Sequence, residues 1–345
     1  MTRVFDAKSL VVRLLAGLLL AGSMVWLAGC EPESNIAKYD SGEQVRADFP
    51  YQSHYVEVNG SKMHFAAAGK GDPILFLHGQ PTWSYLWRGI MPELENNGQV
   101  IALDLIGYGK SDKPNISYEM TDHIAYVEGF IKKLGLKNIT FVIHDWGSFF
   151  GFHYAMNNPD NVKGIAFMES MLLPIPGYDA FDADTKAFFV GLRSSQEAAE
   201  DMMVNKHMFV EGVLPAMIKR KLSEDEHNAY REPWLNAPDR KILTKFPQNL
   251  VIGGEPKPIH DMQMAYMEKL QKSELPKLLI EATPGVLIPE KLADWAKDNL
   301  PNITAVHVGG GFTTFRKIIP MKSARRFRSG CRRIIFEPCC LEPGP

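Results

Sequence analysis

Between Cys30 and Cys331 the chain has no cysteine, and the four it carries among 345 residues all lie near its ends. A body without thiols forms no disulfide, even in an oxidising compartment, so its fold must rest on a hydrophobic core. An excess of charge of either sign is also missing. With 38 Lys and Arg against 40 Asp and Glu, the formal charge is −2, which leaves no basic footprint for nucleic acid. No internal repeat and no metal-ligand spacing is seen. What is present is apolar: 45% hydrophobic residues suit one large α/β domain and argue against disorder.

The N-terminus reads as a targeting segment. Arg3, Lys8 and Arg13 precede an apolar run from Leu14 to Trp26, which ends in Leu27-Ala28-Gly29-Cys30. This resembles a lipoprotein signal over residues 1–29, with Cys30 as the lipidated residue. It implies export and a lipid anchor at a bacterial membrane surface. An uncleaved anchor helix is the alternative, although the run is short for one. Residues 30–50 then read as a polar tether.

Tyr55-Val56-Glu57-Val58 and Lys62-Met63-His64-Phe65 alternate around Asn59-Gly60, the signature of a β-hairpin. Apolar runs near 74–77, 100–103, 139–143 and 164–168 alternate with helical patterns, which predicts a mostly parallel sheet covered on both faces. That rhythm gives a first core part over 51–173 and a second over 259–311, with last strands at Leu278–Glu281 and Thr304–Val308. The segment between, 174–258, is helical and rich in Met and Phe, and reads as an inserted cap. In it His207, Met208 and Phe209 are candidate pocket residues, though such spacing also suits plain core.

The densest chemistry lies at Ile143-His144-Asp145-Trp146-Gly147, where a strand turns sharply into a helical pattern. An α/β-hydrolase presents its nucleophile in this layout. Here it is a carboxylate, suited to displacement at saturated carbon through an ester that water later cleaves. Trp146 beside it offers an indole N–H and no acceptor, apt for a departing anion. An Asp N-cap with a core Trp is the plainer alternative. A second motif, His78-Gly79-Gln80-Pro81-Thr82-Trp83, follows the strand Ile74–Leu77 at the place of the oxyanion loop. A third, Asp104-Leu105-Ile106-Gly107-Tyr108-Gly109, follows Val100–Leu103 as a tight loop.

Together these motifs, from about Tyr55 to Gly311, resemble the haloalkane dehalogenases of the α/β-hydrolase superfamily. The resemblance extends to Arg231-Glu232-Pro233 and to Pro276–Leu279 with Thr283–Pro289. It implies an α/β-hydrolase fold, no cofactor, no metal, and a small halogenated hydrocarbon and water as reactants. It implies Asp145 as nucleophile, and Trp146 with the Gln80 side chain as halide donors. The backbone N–H groups of Gln80 and Trp146 would form the oxyanion hole. Gln80 stands where many relatives with this acid carry Asn. The resemblance also implies Glu169, at the end of the strand after the nucleophile's helix, as the acid that orients the base; the family's other place for it, here the turn Ala282-Thr283-Pro284-Gly285, holds no Asp.

The base itself is missing. The family's histidine follows the last strand in a sequence like G-L-H-Y-F-Q-E-D-N-P, whereas this chain reads Gly311-Phe312-Thr313-Thr314-Phe315-Arg316-Lys317-Ile318-Ile319-Pro320. Suitable codons for these residues, read one nucleotide earlier, give the family sequence. Continued to Gly330, the same shift gives N-E-I-G-K-T-I-S-E-W, like the family's terminal helix. A frameshift near Gly311 follows, with the base expected at Thr313 and an out-of-frame tail over 312–345. Residues 316–333 hold eight Lys or Arg and no acid, in keeping with a lost frame; a basic patch for a membrane or nucleic acid is the alternative. Rival functions are an epoxide hydrolase using Tyr178 and Tyr230, a relative of the coelenterazine-type luciferases, and a non-catalytic lipid-anchored binding protein.

Overall fold

The computed structural model describes residues 36–311. The signal segment 1–29, the lipidation candidate Cys30, Thr313 and the tail 312–345 lie outside the described residues. No helix among the described residues is long and apolar enough to cross a membrane.

Nine strands form one sheet: β1 (Asp40–Arg46), β2 (Phe49–Val58), β3 (Ser61–Ala68), β4 (Pro73–Leu77), β5 (Gln99–Leu103), β6 (Ile139–Asp145), β7 (Val162–Ser170), β8 (Lys277–Pro284) and β9 (Ile303–Gly311). Their order is β1-β2-β3-β5-β4-β6-β7-β8-β9. From β5 to β9 every pairing is parallel, while β1, β2 and β3 add an antiparallel edge. All five residues of β4 and all five of β5 are buried. Both faces of these strands are therefore covered, as an unbroken apolar run requires. The hairpin β2–β3 turns at Asn59 and Gly60, both at positive φ (49° and 78°), the turn whose twist matches the strands it joins.

The polar tether expected over 30–50 is corrected by β1. Asp40 pairs with His54 and Gln44 with Gln52, and Ile36, Val45 and Phe49 are buried. Its first five residues are exposed, so an edge strand of this composition carries little apolar signal in sequence.

The long helices are α1 (Met120–Leu134), α2 (Trp146–Asn157), α3 (Ala183–Leu192), α4 (Glu224–Arg231), α5 (Lys257–Leu270) and α6 (Glu290–Asn299). A capping box of Glu119 and Asp122 starts α1. Between β7 and β8 the chain leaves the sheet. Ile175 accepts the Gly253 N–H at 2.9 Å and donates to Val251 at 3.0 Å, so the outgoing and returning strands of this excursion meet at a neck. Beyond the neck lie α3, two π-helical turns (Asp201–Asn205 and Phe209–Val213) and α4. Arg88 of the core reaches Glu226 of α4 at 3.1 Å with both side chains buried, and so ties the excursion down. α5 then packs against α2.

Candidate active site

Asp145 ends β6 at φ 50°, ψ −131° and begins α2. A non-glycine residue holds that conformation only where its surroundings enforce it, which is common at reactive positions. The enforcement is visible on both sides. A β-carbon added at Gly147 would fall 2.2 Å from the Leu77 carbonyl oxygen, and one at Gly79 would fall 2.3 Å from Cβ of Asp145. Only glycine lets these backbones approach so closely.

The Asp145 carboxylate accepts the backbone N–H groups of Trp146 and Gln80. The two expected oxyanion donors therefore converge on one carboxylate. Burial pushes its pKa up to about 7, opposed by those N–H groups and reinforced by the negative charge of Glu169. Glu169 is itself buried, at φ 39°. It accepts the backbone N–H groups of Val286 at 2.7 Å and Leu287 at 2.8 Å, and that of Ile288. Burial raises its pKa and these donors restrain the rise.

A cavity of about 340 Å³ opens above Asp145. Trp146, Gln80 and Asp145 lie on its wall with Met171 and Leu287, and the excursion contributes Phe188, Phe189, Met208, Phe209 and Met217. Of the three candidates in that segment, Met208 and Phe209 line the cavity. His207 does not: its ring is buried, 3.6 Å from Glu211.

Trp146 is buried, and its indole N–H has no hydrogen-bond partner among the described residues. The Gln80 amide is more constrained than its sequence suggests. Nε2 donates to the Leu243 carbonyl at 2.9 Å, and Oε1 accepts from the Tyr108 hydroxyl at 2.8 Å. A carbonyl can only accept, which fixes the amide's orientation and leaves one of the two Nε2 hydrogens. Tyr108 and Leu243 are thus site residues that sequence reasoning missed as such; Leu243 acts through its backbone, which no side-chain pattern reveals.

Among the described residues no tyrosine lines the cavity. Tyr178 and Tyr230, the candidates for opening an epoxide, accept from Arg193 and Arg88 instead. His307 is exposed on β9 and meets Thr283 at 2.8 Å. His144 touches the cavity wall, but both its ring nitrogens are buried and the ring meets Trp87 edge-on at 6.5 Å. A second nucleophile–base–acid array also exists: Ser53 Oγ lies 3.0 Å from His64 Nε2, and His64 Nδ1 lies 2.7 Å from Asp104. All three residues are buried away from the cavity, so no substrate reaches them.

Residues 72–203 match the alpha/beta hydrolase fold family. The chain is 39% identical over 265 residues to a haloalkane dehalogenase of Sphingobium indicum, covering 75% of this chain and 88% of that protein. The chain belongs to the haloalkane dehalogenase family. A haloalkane dehalogenase of Mycolicibacterium smegmatis is 38% identical over 270 residues, 76% of this chain and 85% of its own. Among solved structures, the haloalkane dehalogenase DatA of Agrobacterium tumefaciens C58 superposes with a TM-score of 0.79 at 30% identity. It covers 84% of this chain and 99% of its own. DbeA of Bradyrhizobium elkani gives 0.78 at 35% identity, with 82% and 98% coverage. Family membership accords with the geometry: a buried carboxylate at a strained elbow, beneath an apolar cavity.

Proposed function

We propose that this chain cleaves carbon–halogen bonds of small haloalkanes through an ester on Asp145. The observation that carries this reading is the meeting, on one apolar cavity, of the Asp145 carboxylate and a Trp146 indole N–H that has no hydrogen-bond partner among the described residues. An Asp145 oxygen attacks the halogen-bearing carbon; the new C–O bond forms as the carbon–halogen bond breaks. The electron pair leaves with the halide, which takes hydrogen bonds from Trp146 Nε1 and the remaining Nε2 hydrogen of Gln80. Water then attacks the ester carbonyl, and the developing oxyanion receives the backbone N–H groups of Trp146 and Gln80; its collapse breaks the bond from the acyl carbon to the alkoxy oxygen, which leaves with a proton as the alcohol and restores the Asp145 carboxylate. Glu169 serves to orient the base that takes the water's proton.

That base belongs, by the family resemblance, at position 313, where this chain has Thr. The chain as written is therefore competent for the first displacement and deficient in the second. Lipidation at Cys30 would hold it at a membrane surface.

The test is intact-mass spectrometry after incubation with a bromoalkane. One alkyl group on Asp145, with one equivalent of bromide, is the expected result. An unmodified chain and no bromide would remove the reading in favour of a binding protein.

A further inference from the structure

The halide donors named above sit on different elements: Gln80 follows β4, and Trp146 opens α2. A single turn of the excursion, Leu243 to Phe246, touches the surroundings of both. The Leu243 carbonyl takes one Gln80 Nε2 hydrogen at 2.9 Å. Three residues on, the Phe246 ring stacks on Trp146, with centroids 4.9 Å apart and planes 22° apart. The same ring stacks on Tyr108 at 5.3 Å and 13°, and the Tyr108 hydroxyl holds Gln80 Oε1 at 2.8 Å.

We infer that Tyr108 is a positioning residue for halide binding, acting with the turn Leu243–Phe246 to hold the Gln80 amide and the Trp146 indole in fixed relation. This rests on the reading of Trp146 and Gln80 as the halide clamp. A glutamine has one more rotatable bond than an asparagine, so an amide on that stem needs anchoring before its last N–H has a direction. Tyr108 supplies the anchor on the oxygen side and Leu243 on the nitrogen side. With both in place, the remaining Nε2 hydrogen is the amide's single unused donor. Burial keeps the Tyr108 phenol well above its ordinary pKa, so its proton stays available to Gln80 Oε1. Tyr108 also packs edge-on against Trp234 at 5.3 Å, which leaves the ring little freedom to turn away. No lining residue of the cavity need change for this pair to alter halide affinity.

The test uses the full chain and titrates sodium bromide against intrinsic tryptophan fluorescence, with Trp146→Phe as the control that should abolish the response. Tyr108→Phe keeps the ring and removes the hydroxyl. It should weaken bromide binding about 3- to 10-fold, the range of one neutral hydrogen bond. In a Gln80→Ala background the same substitution should have no further effect, because its role runs through that amide. Phe246→Leu leaves the phenol but removes the shared ring, and should weaken bromide binding in the same direction. Affinity of Tyr108→Phe within about twofold of the parent, or a loss that persists in the Gln80→Ala background, would overturn the inference. A parent chain that takes an alkyl group on Asp145 yet gives no bromide response would overturn it with the clamp, while the nucleophile stands. Absence of both responses would remove the haloalkane reading itself.

Discussion

A methyl group on Gly79 would lie 2.3 Å from the β-carbon of Asp145. The loop that supplies one backbone donor is therefore pressed against the residue it serves. Gly79→Ala should displace Asp145 or the loop, at a cost of about 1–3 kcal/mol in stability from overpacking. Alkylation of Asp145 should fall with it. Thermal unfolding and adduct formation, measured together, check this; an alanine variant with native melting and full alkylation would contradict the packing.

Trp146→Phe preserves an aromatic ring on Phe246 and removes the indole N–H. Loss of one donor to a developing anion typically costs roughly 2.7–4 kcal/mol, or about 10²–10³ in rate. The rate of the bromide burst reports it directly. A rate within a few-fold of the parent would make Trp146 a packing residue.

As the proposed nucleophile, the Asp145 carboxyl, raised to about 7, should attack only when ionised. Alkylation should then rise with pH through a single ionisation near 7 and drop about tenfold per unit well below it. The stability effect has the opposite slope. An acid whose folded pKa is raised binds more protons native than unfolded, so folding stability declines as pH climbs from about 4 to 7. Asp145→Asn should flatten that decline and abolish the adduct; pH-dependent melting of the two proteins separates the cases.

With Thr at position 313, the chain as written should release one halide per molecule and then stop. Restoring the alternative frame after codon 311 should turn the burst into steady turnover. Repeated turnover by the unaltered chain would contradict the position assigned to the base.

The parallel half of the sheet was legible because its strands are buried on both faces and read as bare apolar runs, from Ile74–Leu77 to Ile139–Ile143. The elbow was legible because Asp145 stands between such a run and a helix. β1 was not, since Asp40 to Gln44 face solvent and show no apolar alternation, and their partners in β2 are fixed by backbone pairing and polar side-chain bonds such as Ser41 to the Ser53 carbonyl. Nor was the restraint on Gln80, whose partner Leu243 lies 163 residues away and bonds through a carbonyl common to every residue type. His207 failed as a pocket residue for a related reason: its neighbours Met208 and Phe209 reach the cavity, but at φ 50° its own direction does not follow helical spacing.

The neck at Ile175 marks the natural joint for exchanging the helical excursion as a cassette, since its two ends meet there through paired backbone groups. The cassette is not wholly free, however. Any donor segment grafted at this joint must bring a carbonyl where Leu243 offers one, or the catalytic floor beneath inherits a loose amide from a change made to its roof.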